Sequence, residues 1–225
     1  MSAAKKVLLS PSMMCADIAA LPEALRAFEA AGIDYLHIDV MDGVFVPNLM
    51  LGTDYARRLR ALTSIPLDIH LMITAPEPKI AWFDPQPGEY VSVHQESTPH
   101  LHRALQTVRA SGAKALAALN PATPLSAIET ILEDMDGALL MLVNPGYAGQ
   151  ALIPEALRKV ADLRALADAR GLSDFVIQVD GNIGFSNVRD IVGAGADFLV
   201  LGSSSVFTKD CPLPEAIRRF KDAIR

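Results

Sequence analysis

Two histidines and two aspartates fall in or at the ends of runs that are otherwise apolar: His37 and Asp39 in YLHIDV, His70 in LDIHLM, and Asp180 closing VIQVD. His37 and Asp39 flank Ile38, so in extended backbone both point to one face and Ile38 to the other. Withdrawing a carboxylate from water costs several kcal/mol unless it is paired or bound to a cation. Two imidazoles and two carboxylates make the mixed N/O set that a borderline divalent ion accepts. The pattern predicts a site for one divalent cation at His37, Asp39, His70 and Asp180, and the donor set alone does not choose among Zn, Fe, Mn and Co. The competing reading has the histidines bonded to backbone carbonyls and the aspartates capping turns. His94, which ends the run 90–94, is a further polar side chain in such a place.

Other residues at run ends suit a small phosphorylated substrate. Ser10 could meet a substrate oxygen, although Ser-Pro is also an ordinary strand terminator. Met41, Met72 and Met141 could form an adaptable apolar wall, or simply pack in the core. Gly181-Asn182 and Gly202-Ser203, the latter opening a short helix expected over 203–207, fit a phosphate cradle of backbone N–H groups; tight-turn geometry without a ligand is the alternative. The segment NPGYAGQ at 144–150, containing Gly146, Tyr147, Ala148 and Gly149, precedes a helix that starts at Pro154 and reads either as a simple connection or as an active-site lid, its place in a barrel favouring the lid.

Positioning these groups requires strands whose ends meet. Short apolar runs recur at 7–10, 35–40, 67–72, 90–94, 115–119, 138–143, 175–179 and 198–201, separated by segments with apolar residues at helical spacing. Near-continuous apolar strands belong to a parallel sheet buried on both faces. Eight such units in 225 residues fit a closed (β/α)8 TIM barrel better than an open doubly wound sheet. Only the stretch after the third strand, with Pro76, Pro78, Pro85 and Pro87, predicts a broken crossover, with a short helix around 79–83. One catalytic domain over 1–225 is expected.

Composition removes other classes. With 51% apolar residues and a formal charge of -6, the chain is neither disordered nor basic enough to favour nucleic acid. No run approaches a membrane span, and Ser10, Pro11 and Ser12 interrupt the apolar segment that a secretory signal needs. A cytoplasmic protein is expected, with Cys15 and Cys211 as reduced thiols.

The blocks LSPS at 9–12, HIDVMDGVFVPN at 37–48, DIHLM at 68–72, VHQE at 93–96, LNPATP at 119–124, VNPGYAGQ at 143–150, VDGN at 179–182 and LGSSSVF at 201–207 resemble the ribulose-phosphate 3-epimerase family almost end to end. The resemblance implies a ribulose-phosphate-binding (β/α)8 barrel that inverts carbon 3 of a ketose phosphate through an enediolate. It also implies that Asp39 and Asp180 are the two acid/base residues and that Ser10 touches substrate. The methionines would line the reacting face, and Gly146, Gly149, Gly181, Gly202 and Ser203 would help hold phosphate. Homo-oligomers are common for such barrels. Asn182, Ala148 and Leu201 depart from the usual family pattern, and Met13-Met14-Cys15, Ala148 and Asn182 resemble relatives acting on allulose 6-phosphate; D-ribulose 5-phosphate is the first expectation and the hexulose phosphate the second. A sugar-phosphate-binding barrel without catalysis would not need all four metal-site residues. A Schiff-base aldolase would need a lysine at a strand end, whereas Lys114 begins the fifth strand and Lys209 follows the short last helix expected over 203–207.

Overall fold

The computed structural model describes residues 6–225. Among them, nine strands form one sheet: β1 (Leu8–Pro11), β2 (Leu36–Asp42), β3 (Leu49–Met50), β4 (Leu67–Met72), β5 (Tyr90–His94), β6 (Lys114–Leu119), β7 (Gly137–Met141), β8 (Val176–Asp180) and β9 (Phe198–Leu201). Their order is β1-β9-β8-β7-β6-β5-β4-β2-β3. Every neighbouring pair is parallel except β2 with β3, a short antiparallel appendage. The remaining seam closes where Ser12 bridges His37 in parallel and where the Asp34 and Tyr35 N–H groups both donate to Leu9 O. The eight expected strands thus make the expected (β/α)8 barrel, with β3 added at its rim.

Strand alternation sorts the side chains. On β2, Leu36, Ile38 and Val40 pack outward into the large core between sheet and helices, as do Leu67, Ile69 and Leu71 on β4. The intervening residues face the barrel axis. At the amino-terminal end of the strands that interior is a plug of Tyr90, Leu116, Val176 and Phe198, with Tyr35 and Leu8 against it. Above the plug the interior turns polar: Ser10, His37, Asp68, Ser92 and Gln178 are fully buried. Asp39, His70, His94 and Asp180 lie two residues further along their strands, at the carboxyl-terminal mouth where barrel active sites form.

Among the described residues, six α-helices cover the sheet: α1 (Leu21–Ala31), α2 (Thr53–Leu62), α3 (Leu101–Ala110), α4 (Pro154–Ala169), α5 (Val188–Gly193) and α6 (Leu213–Ile224). Helix α1 shows why they form where they do. Its buried face is Leu21, Ala24, Leu25 and Phe28, spaced at helical intervals, and it stops at Gly32, which takes a left-handed φ of 62°. The proline-crowded crossover after β4 holds only the 3₁₀ turn Ile80–Phe83, as expected. The crossover after β6 is also non-α, with 3₁₀ turns at Leu125–Ala127 and Glu129–Asp134. Pro121 and Pro124 open that segment, and neither can donate the backbone bonds a helix would need. A second correction concerns 203–207, which is a turn and not a short helix: the N–H groups of Ser205, Val206 and Phe207 all converge on Gly202 O.

Candidate active site

Adjacent strands bring the four predicted donors together. Cα registry pairs Asp39 with His70 across β2 and β4, and Asp180 reaches them from β8. One atom from each of His37, Asp39, His70 and Asp180 lies within 4.8 Å of every other. His37 Nε2 is 3.4 Å from Asp39 Oδ1 and 3.9 Å from Asp180 Oδ2, and His70 Nδ1 is 3.5 and 3.7 Å from the same two oxygens. Bonds of about 2.0–2.1 Å to a tetrahedral ion would set donors roughly 3.3–3.4 Å apart, so these spacings sit just outside a metal cage.

The chemistry of the donor atoms agrees. Among the described residues, fully buried His37 Nε2 and His70 Nδ1 have no hydrogen-bond partner, although each ring's other nitrogen is engaged. His37 Nδ1 meets Asp68 at 2.6 Å, and Asp68 also accepts from Gln178 Nε2. His70 Nε2 meets His94 Nε2 at 2.8 Å. Two unpartnered imidazole nitrogens beside two carboxylates are what a divalent cation would satisfy.

Charge is unevenly divided between the carboxylates. Burial works against ionising Asp39, but His37 and His70 outweigh it and hold its pKa well below the usual range. Ser12 Oγ also donates to Asp39 Oδ2 at 2.6 Å. Asp180 is pushed up to about 7, first by burial and then by the charge on Asp39. Environments that drive two neighbouring carboxyls apart in this way suit one as base and the other as acid. Burial lowers the pKa of His94 to about 4, keeping that ring neutral.

The pocket above this cluster is lined by Asp39, Met41, Met72, Met141 and Asp180, by the loop residues Gly146, Tyr147, Ala148 and Gly149, and by Gly181, Asn182, Gly202 and Ser203. All of these were expected from sequence. Two expected contacts are not on its wall. His70, one of the four clustered donors, has its ring fully buried, and Ser10 lies one layer deeper, its hydroxyl buried and unpartnered among the described residues. The wall position belongs to Ser12, which the sequence reading passed over. Ser10 and Ser12 share a strand face, and the one nearer the carboxyl end reaches the mouth; period-two alternation could have found it. Met14, Cys15 and Ser204 also line the pocket without having been expected as contacts, and Asn144 does so from the segment read as a lid. Burial and Asp39 raise the Cys15 thiol to about 11, so it presents a neutral, reduced wall.

The loop over 144–150 is tied across the mouth. Tyr147 Oη donates to Pro47 O at 2.8 Å, Asn48 Nδ2 donates to Gly146 O at 3.0 Å, and Gln150 Nε2 ties the loop's own Asn144 and Tyr147 carbonyls. Among the described residues, no lysine or arginine lines the pocket. A phosphate there would meet backbone N–H groups and the Ser203 and Ser204 hydroxyls, not a fixed cation.

A family model described as the ribulose-phosphate 3 epimerase family matches residues 8–207. The chain belongs to the ribulose-phosphate 3-epimerase family. It is 43% identical to the chloroplastic ribulose-5-phosphate-3-epimerase of Arabidopsis thaliana over 221 residues, covering 97% of this chain and 78% of the relative. It is 42% identical to the ribulose-phosphate 3-epimerase of Bacillus subtilis, covering 87% and 90% of the two chains. Among solved structures, 3-hexulose-6-phosphate synthase from Salmonella typhimurium superposes with a TM-score of 0.66 at 16% identity, covering 96% of this chain and 98% of that one; at that identity the likeness concerns the fold alone. The family relatives favour the pentulose phosphate over the hexulose phosphate. None of the described helices is long and apolar enough to cross a membrane.

Proposed function

We propose that this chain, acting as one catalytic unit, interconverts D-ribulose 5-phosphate and D-xylulose 5-phosphate by inverting carbon 3. The observation that carries the reading is the pair Asp39 and Asp180, brought from separate strands to one set of orphaned imidazole nitrogens in a pocket whose far wall suits phosphate. A divalent ion held by His37, Asp39, His70 and Asp180 supplies Lewis acidity for the charge that develops on the substrate oxygens when the C3 proton leaves.

The chain's own residues do the rest. Asp39, steadied by Ser12, takes the C3 proton from one face, and Asp180 delivers one to the other face. The roles exchange in the reverse direction. Met41, Met72 and Met141 pack an apolar wall against the reacting carbons and keep water from protonating the intermediate. Gly181, Asn182, Gly202 and Ser203 hold the phosphate, and the 144–150 loop closes over it.

Turnover of ribulose 5-phosphate and of allulose 6-phosphate, measured on one preparation with its metal content recorded, tests this. A kcat/KM favouring the pentulose at least tenfold is expected, as is a loss of about 10²–10⁴ in kcat for Asp39→Asn or Asp180→Asn at full metal occupancy. Hexulose preference would overturn the substrate, and near-normal turnover of a metal-replete variant would overturn the role given to that carboxylate.

A further inference from the structure

His70 has two ring nitrogens, and only one arrangement of its proton leaves Nδ1 with a free lone pair facing Asp39 and Asp180. Its Nε2 is 2.8 Å from His94 Nε2, and His94 Nδ1 is 3.1 Å from Glu96 Oε2. His70 and His94 are fully buried, and their rings stack at 26° with centroids 4.9 Å apart. Direction along this chain is set at its far end. Glu96 Oε1 accepts from the Asn120 N–H at 2.9 Å and from the Thr123 hydroxyl. Burial opposes ionisation of Glu96, but the bonds from His94, the Thr123 hydroxyl and the Asn120 N–H hold its carboxyl down to about 2, so both oxygens are acceptors and His94 presents N–H at Nδ1. Its Nε2 then has only a lone pair, and His70 must supply the proton between the rings from its own Nε2.

We propose that His94 and Glu96 are positioning residues of the metal site, forming a one-way hydrogen-bond relay that holds His70 in the tautomer whose Nδ1 faces the metal. The inference rests on the metal-site reading above, but it concerns residues outside the four donors. It also gives the irregular crossover after β6 a use. Its opening residues Asn120 and Thr123 donate to Glu96, and Lys159 Nζ on α4 holds the segment by donating to the carbonyls of Asn120, Pro121 and Thr123 at 2.7–2.9 Å. Glu96 thus tethers a metal ligand to a braced loop some fifty residues further along the chain than His70. His37 needs no such relay because Asp68 accepts from its Nδ1 directly.

The sharpest test is Glu96→Gln, which changes one atom. The Asn120 N–H can only donate, so it holds the amide oxygen; the amide NH₂ then faces His94 Nδ1 and reverses both tautomers, putting a proton on His70 Nδ1. His94→Leu deletes the relay, whereas His94→Gln can accept from His70 through its oxygen and donate to Glu96 through its nitrogen. Two readouts on the full chain decide the matter: Zn²⁺ affinity by competition with a chromogenic chelator, and the ¹⁵N shifts of His70 in the metal-free protein. Zn²⁺ binding is expected to weaken about 10–100-fold in Glu96→Gln and His94→Leu and to recover most of that in His94→Gln. Metal-free wild type is expected to show the proton on His70 Nε2, and Glu96→Gln to move it to Nδ1. Unchanged affinity and tautomer in Glu96→Gln would overturn the relay. If wild type failed to bind a divalent ion, the metal reading would fall, while the ¹⁵N shifts would still decide the relay.

Discussion

The two ends of the pocket are built by different means. At the proposed metal end, His37, Asp39, His70 and Asp180 project from β2, β4 and β8; the buried side chains of Asp68 and His94 engage the two imidazoles, Ser12 engages Asp39, and Gln178 braces Asp68. At the phosphate end, the wall is loop and turn: Gly181 at a φ of 116°, Asn182 at 49°, and Gly202 with its following turn. One end works through ionisable side chains set by strand alternation; the other works through backbone N–H groups set by dihedral angles. The first tolerates little chemical change and the second little steric change.

Metal removal is expected to have the largest effect and to separate the ends most cleanly. A Lewis acid contributing several kcal/mol to the transition state accounts for about 10³-fold or more in rate. Chelation should therefore lower kcat by at least that factor, with recovery on adding back a divalent ion. Inorganic phosphate, titrated calorimetrically, should bind the stripped protein within about threefold of its affinity for the loaded one. A parallel loss of phosphate binding would show that the ends are coupled and that the division drawn here is false.

Ser12→Ala comes next. A hydrogen bond to a buried charged group is worth about 1.5–3 kcal/mol, so kcat/KM should fall roughly 10–100-fold, mostly in kcat. The serine also teaches what sequence could and could not reveal. The metal residues stood out because polar letters interrupted apolar runs, and alternation placed them on one face. The same rule applied to LSPS admits both Ser10 and Ser12, and only the height of each residue along β1, fixed by its registry with β9 and by the bridge to His37, shows which one reaches the mouth. His94 was visible as a strand-ending histidine, but its service to His70 was not, since it depends on Glu96, Asn120 and Thr123 meeting across two crossovers. The helix expected at 203–207 failed for a related reason: spacing alone does not show that three N–H groups will share a single carbonyl.

Gly181→Ala probes the phosphate end sterically. A Cβ at this position would lie 2.6 Å from Val143 Cγ2 and 3.0 Å from Val143 N, on a backbone at φ 116° that L-residues rarely adopt. Strain of this kind costs about 1–3 kcal/mol. Thermal unfolding should register that loss, and KM for the sugar phosphate should rise roughly tenfold as the cradle shifts, with metal affinity unchanged. A variant that lost divalent-ion affinity but kept its KM would place Gly181 with Asp180 at the metal end.

The smallest effect is expected from Asn182→Gly. Asparagine tolerates the left-handed region better than most residues, so its φ of 49° carries little strain for glycine to relieve, and glycine adds disorder to the unfolded chain. These terms oppose each other. The turn is held from outside position 182 in any case, because Asn187 donates through Nδ2 to Asn182 O and accepts the Gly184 N–H through Oδ1, contacts that do not use the side chain at 182. KM and kcat should therefore stay within about twofold of wild type. A large change, particularly one that separated ribulose 5-phosphate from allulose 6-phosphate, would mean that the Asn182 side chain itself reads the substrate and that the phosphate end does not work by backbone alone.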